Sequence, residues 1–310
     1  MRKHILFALL LGFVLPALAQ GLIPQPETFV YAIREGNDTL RLDLYKPAVA
    51  RGDGACVVFL HGGAFAWGGR DDTLSRTFCR TLCDKGFIAV SVDYRLMASR
   101  IDFKTLRKTD YIPTLDTILQ CATEDCAAAL TFVARHAAEW GADTARLILS
   151  GSSAGAITAL QTDYCRANAL PWTSCMPAGL RPAAVVSYSG AVFSRRGAIR
   201  YDSQPSPTCL FHGTDDHVVT PKRIRFGKNC FEGSFKLAET LEEAGATYHL
   251  FRAQHLAHDV SQMCSDLIEE FVSFVDMVLR HRTFGYTTDC YRLPPLDDPD
   301  YYKSLSDFTK

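Results

Sequence analysis

The chain has 310 residues, of which 47% are hydrophobic and 22% charged, values of an ordinary globular protein and not of a disordered or multispanning membrane chain. Its 33 basic and 34 acidic residues nearly cancel, and no basic cluster stands ready to grip a phosphate backbone, so nucleic acid is not an expected partner. The length suits one large domain.

Residues 1–19 read as a secretory signal peptide. Arg2 and Lys3 lead an apolar run from Ile5 to Leu15, and Ala17, Leu18 and Ala19 form a small-residue cleavage pattern before Gln20. The run falls short of the roughly 20 residues that span a bilayer, so no stable membrane anchor is expected. The mature chain then divides into a domain over residues 20–282 and a tail over 283–310 rich in Tyr, Asp and Pro.

Within that domain, Phe29 to Arg34 and Leu40 to Tyr45 alternate apolar and polar residues around Gly36, Asn37 and Asp38, which predicts a hairpin at a sheet edge. The next runs are short and apolar throughout, as in strands buried on both faces: Cys56 to Leu60, Phe87 to Val92, Arg146 to Leu149, Ala183 to Val186, Thr208 to Phe211 and Thr247 to Phe251. Helical spacing appears in Leu115 to Trp140, with a break expected near Cys121 to Asp125, in Phe235 to Ala244 and in Val260 to Arg280. Alternation of strand and helix implies a mostly parallel central sheet, preceded by the antiparallel hairpin and covered by helices on both faces. Ligand sites of such sheets lie at the carboxyl ends of the strands.

All 11 cysteines lie beyond residue 19, which in an exported chain suggests disulfides, with at least one thiol left over. Cys165 with Cys175, and Cys121 with Cys126, are local candidates. Cys56 and Cys209 on strands suit buried thiols instead. No Cys or His spacing resembles a zinc site, and neither metal nor cofactor is expected.

The chemistry concentrates in four places. After the strand ending at Leu149 comes Gly151 Ser152 Ser153 Ala154 Gly155 and then a helical stretch, the G-x-S-x-G turn in the strand-to-helix setting it requires. So tight a turn strains the backbone of Ser153 and presents its hydroxyl as a nucleophile, whereas Ser152, at the variable position, should point elsewhere. His61 Gly62 Gly63 Ala64 follows the strand ending at Leu60. The amides of Gly63 and Ala64, with that of Ala154, are candidates for an oxyanion hole, and the His61 ring is expected to brace the loop. Trp67 and Phe65 are candidates either for an acyl pocket or for plain core packing. After Phe211, the loop containing Asp215 and Asp216 offers a carboxylate to orient an imidazole, Asp216 being favoured over its neighbour. After Phe251, His255 and His258 both stand where a base is needed, with His258 favoured.

Together His61 to Gly63, Val92 Asp93 Tyr94 Arg95 Leu96, Gly151 to Gly155, His212 to Asp216, and His258 resemble the bacterial carboxylesterase and lipase branch of the α/β-hydrolases. The resemblance implies the α/β-hydrolase fold, the chain order Ser, Asp, His for the triad, and ester hydrolysis through an acyl-serine without a cofactor. Ala64 in place of a third glycine, Ser152 in place of an acidic residue, and Met97 Ala98 after Leu96 depart from the hormone-sensitive-lipase-like group. The chain looks closer to exported esterases resembling feruloyl and acetyl-xylan esterases, whose substrates would be small or carbohydrate-linked esters. A prolyl-oligopeptidase-like peptidase and an inactive binding protein on the same fold are the alternatives.

Overall fold

The fold is a computed structural model that describes residues 25–291, so the leader at 1–19 and the tail beyond Tyr291 lie outside the described residues. In chain order the elements are β1 (Glu27–Ile33), β2 (Thr39–Tyr45), β3 (Cys56–Leu60), α1 (Thr73–Asp84), β4 (Ile88–Val92), α2 (Tyr111–Trp140), β5 (Leu147–Ser152), α3 (Ala154–Ala167), β6 (Ala184–Tyr188), β7 (Ala191–Ser194), β8 (Thr208–Gly213), β9 (Arg223–Phe226), β10 (Asn229–Gly233), α4 (Ser234–Glu243), β11 (Tyr248–Ala253), α5 (Ile268–Leu279) and β12 (Gly285–Cys290).

Nine strands form the central sheet in the order β1-β2-β4-β3-β5-β6-β8-β11-β12. The β1/β2 hairpin is antiparallel and β2 joins β4 antiparallel; from β4 onward every neighbour is parallel. This is the α/β-hydrolase architecture expected from the sequence.

Side chains alternate across the pleat and build two cores. Val58, Leu60, Leu149, Val185, Leu210 and Leu250 face the side covered by α2, α3 and α4, where they meet Leu130, Leu160 and Leu237. Val57, Phe59, Ile148, Val186, Phe211 and Phe251 face the other side, with Phe78 of α1 and Phe271 of α5. The β-branched and aromatic content of these short runs suits strands buried on both faces, and it leaves their carboxyl ends to carry polar loops.

The structure departs from the sequence expectations at five points. The helix expected to break near Cys121 to Asp125 runs unbroken through α2. Thr123 and Asp125 are weak helix formers because such side chains usually compete for their own backbone. The Asp125 carboxylate instead accepts from Arg34 Nε at 2.8 Å and from the Arg95 amide and Nε at 2.9 and 2.8 Å, leaving the helix bonds intact. The last helix begins at Ile268, not Val260, because His258–Gln262 forms a separate 3-10 turn. The tail drawn from residue 283 starts as the ninth strand: Gly285–Cys290 pairs in parallel with β11. A second antiparallel sheet, β7-β10-β9, gave no clear sequence signal, since β7 is four residues long and buried throughout.

The fifth departure concerns the cysteines, all eleven of which are free. Cys121 and Cys126 sit five residues apart on α2, which turns their Cβ vectors about 140° from one another and out of bridging geometry. Cys165 is buried against Gln161, whereas Cys175 is exposed. Burial pushes the Cys56 and Cys165 thiols up to about 12, so in place they behave as small apolar side chains.

Candidate active site

β5 ends at Ser152 and α3 begins at Ala154, which leaves Ser153 alone in the turn at φ 51° and ψ −115°. A residue held there is strained by about 1–3 kcal/mol and persists only where its surroundings over-determine it. They do so here, because the Ser153 amide donates to Tyr188 O of β6 at 2.8 Å and the flanking glycines admit no side chain. A Cβ on Gly155 would lie within contact distance of the carbonyl oxygens of Leu60 and His61, and one on Gly151 would strike the Gly155 backbone. The Ser152 hydroxyl points away from the turn and donates to Ser261 O at 2.6 Å, tying the elbow to the 3-10 turn after β11.

That turn opens with His258, whose Nε2 lies 2.8 Å from Ser153 Oγ and whose Nδ1 lies 2.7 Å from Asp216 Oδ2. An ionised carboxylate only accepts, so Nδ1 carries the proton and Nε2 accepts from the serine hydroxyl. Asp216 Oδ1 accepts from the amides of Val218 and Val219, each at 2.9 Å. Burial alone would raise the Asp216 carboxyl, but hydrogen bonds and charge from His212 and His258 hold it well below the usual carboxylate range. Ser153, His258 and Asp216 are 9%, 2% and 2% exposed, so this chain is shielded from water except at the serine. Asp215 and His255 are exposed and take no part in it; the His255 amide bonds to Thr214 Oγ1 instead.

The loop after β3 runs across the elbow: a Cβ on Gly62 would stand 3.4 Å from Ser153 Cβ. Its backbone takes positive φ at Gly63, Ala64 and Phe65, and no hydrogen bond among the described residues occupies the amides of Gly63, Ala64 or Ala154. His61 is buried, stacks on Tyr94 with ring centroids 4.5 Å apart, and has Nδ1 2.6 Å from Gly62 O. Burial lowers its pKa, and its ring braces the loop without reaching the serine. Phe65 packs edge-on against Tyr94, whereas Trp67 remains 42% exposed.

Two contacts were not read from sequence. Tyr94 Oη donates to His61 O at 2.8 Å, which gives the Val92 to Leu96 motif a part in holding the loop. His212 approaches Asp216 Oδ2 at 3.2 Å; its place at the end of an apolar strand was the available signal.

A cavity of about 600 Å³ opens at the opposite end of the sheet, with Ala183, Pro207 and Thr247 on its wall. These residues precede β6, β8 and β11, whereas Ser153, Asp216 and His258 follow β5, β8 and β11. The wall holds His281 but neither Ser nor Cys, and it lies at the end of the sheet away from Ser153.

The BD-FAE family model matches residues 42–170, a span that holds the loop after β3 and the elbow. Lipase 2 of Moraxella sp. is 38% identical over 104 residues, covering 33% of this chain and 20% of that protein. A probable isoprenylcysteine alpha-carbonyl methylesterase of Arabidopsis thaliana is 24% identical, covering 82% of this chain and 57% of its own length. Carboxylesterase NlhH of Mycobacterium tuberculosis is 32% identical over 123 residues, covering 39% of this chain and 32% of its own. The chain therefore spans between a fifth and three fifths of these relatives. Esterase 2 of Thermogutta terrifontis superposes with a TM-score of 0.60 at 23% identity, covering 81% of this chain and 95% of that one, a likeness of fold. Sheet order and motif order agree on the α/β-hydrolase fold, and over part of its length the chain is similar to carboxylesterases and lipases.

Proposed function

We propose that the protein is a serine carboxylic-ester hydrolase in which Ser153 is the nucleophile, His258 the base and Asp216 the orienting acid. The reading rests on one observation, the unbroken hydrogen-bond chain from Ser153 Oγ through His258 to Asp216. Names of the relatives, a lipase, a carboxylesterase and a methylesterase, support an ester as substrate.

As Ser153 Oγ attacks the ester carbonyl carbon, its proton passes to His258 Nε2, and the Asp216 carboxylate stabilises the imidazolium that forms. The carbonyl oxygen becomes an anion facing the amides of Gly63, Ala64 and Ala154; one such donor is typically worth about 3 kcal/mol of barrier. Collapse breaks the bond to the alcohol oxygen, which takes the proton from His258 and leaves an acyl-serine. Water then gives its proton to His258 as it attacks the acyl carbon, and collapse breaks the bond to Ser153 Oγ, which takes that proton back from His258 as the acid leaves. The active site takes a small or carbohydrate-linked ester in this reading, and the leader at residues 1–19 directs the chain out of the cytoplasm.

Purified protein assayed on p-nitrophenyl acetate, feruloyl esters, sugar acetates and aminoacyl anilides tests both chemistry and substrate. Ester turnover that disappears in Ser153→Ala, with fluorophosphonate labelling at Ser153, is the expected result. Anilide turnover without ester turnover would move the protein to the peptidases, and a folded chain that neither turns over esters nor takes the label would be a binding protein.

A further inference from the structure

We propose that His212 is a positioning residue for Asp216, so that the hydrogen-bond chain of the active site runs from Ser234 through His212 and Asp216 to His258 and Ser153. The inference rests on the esterase reading and extends it to a side chain that touches neither the serine nor the base.

His212 is the fifth residue of β8, wholly buried, and its two ring nitrogens have different neighbours. Nδ1 lies 2.6 Å from the hydroxyl of Ser234, the first residue of α4. Nε2 lies 2.8 Å from Val219 O and 3.2 Å from Asp216 Oδ2. The other acceptor open to the Ser234 hydroxyl, Gly190 O, is at 3.4 Å, so the hydroxyl proton goes to Nδ1 and the ring proton to Nε2. A single N–H therefore reaches two points of one short turn: the carboxylate at its start and the carbonyl at its end.

The geometry of that turn gives the contact its purpose. Between Asp216 and Val219 the chain doubles back, so that the amides of Val218 and Val219 bind Oδ1 while Oδ2 is left for His258. Oδ2 must stay within 2.7 Å of His258 Nδ1 for the ring to aim Nε2 at the serine. The His212 ring closes the turn from behind and limits rotation of the carboxylate about its Cβ–Cγ bond. A buried side chain whose own rotamer is set by a further hydrogen bond suits such a task, because each fixed group removes one way for the next to drift.

The test is a double-mutant cycle on the full chain, read by steady-state hydrolysis of p-nitrophenyl acetate. His212→Ala is expected to lower kcat by about ten- to a hundredfold, the loss of a hydrogen bond to a charged group, with KM within about twofold of wild type. His212→Gln, which can still present an N–H, should restore part of kcat. In an Asp216→Asn background, His212→Ala should cost nothing further. Equal losses in both backgrounds, a change in KM alone, or no rescue by glutamine would overturn the inference. Should His212→Ala fail to fold, Ser234→Ala reads the same chain from its far end, with a loss of kcat of the same kind and smaller size. If the wild type itself neither turns over esters nor takes a fluorophosphonate label, it is the esterase reading that fails. The low-field proton resonance of His258 Nδ1–H then decides for His212: a shift or loss in His212→Ala supports the positioning role, and an unchanged signal refutes it.

Discussion

Asp125 and Asp216 are both removed from water almost completely, and their surroundings differ in kind. Asp125, in the middle of α2, is held by two guanidinium groups, Arg34 and Arg95, so its charge is cancelled by fixed cations. Asp216, on the loop after β8, is held by two backbone amides and two imidazoles. The first arrangement suits a strut and the second a catalyst. A carboxylate met by amides and imidazoles, with no guanidinium beside it, stays ionised and keeps its field, which remains available when the His258 imidazole gains a proton.

The comparison can be broken by neutralising each carboxylate in turn. Asp216→Asn should lower kcat on p-nitrophenyl acetate by about 10⁴-fold, because the amide no longer selects the His258 tautomer that accepts the serine proton. Chemical denaturation of the same variant should show a far smaller change in stability than in activity. Asp125→Asn should do the reverse: unfolding stability falls by about 3 kcal/mol as two guanidiniums lose their anion, while kcat of the folded fraction stays near wild type. An Asp125→Asn protein that is stable but inactive would show the two sites to be coupled.

Arg95→Lys sharpens the contrast at lower amplitude. It keeps the charge but loses a fork that binds Asp125 Oδ2 through Nε and Glu124 together with Cys121 O through Nη2, a loss of about 1–2 kcal/mol of stability by thermal or denaturant unfolding. The finest distinction is in pH. Because the folded Asp216 carboxyl is held below its unfolded value, it contributes stability that is fully present above the unfolded value near pH 4 and lost as pH falls toward the folded one. The stability difference between wild type and Asp216→Asn should therefore be flat from about pH 5 to pH 8 and shrink only below about pH 4. A difference that changes near neutrality would mean that the carboxylate is not held as described.

What could be read locally was read from few residues. The elbow was legible because its constraint is steric and confined to five positions: Gly151 and Gly155 leave no room for a side chain, so the motif and its strained serine appear together. The short apolar runs located six strands of the central sheet, because burial on both faces removes the usual alternation. Between Asp215 and Asp216, and between His255 and His258, the sequence favoured the second member of each pair without deciding it. Both members of each pair occupy the right loop, and only the paths of β8 and β11 decide which side chain turns toward Ser153 and which toward solvent.

Sequence by itself determined the fold class, the chain order of Ser153, Asp216 and His258 and the turn that carries the serine, since each depends on residue type and on neighbours within a few positions. Tertiary structure alone decided that α2 runs unbroken, that Gly285–Cys290 closes the sheet and that His212 stands behind Asp216. The reason is distance along the chain. Asp125 meets Arg34 from 91 residues away, and His258 reaches Ser153 across 105 residues, so these contacts form only once the sheet has brought their strands together.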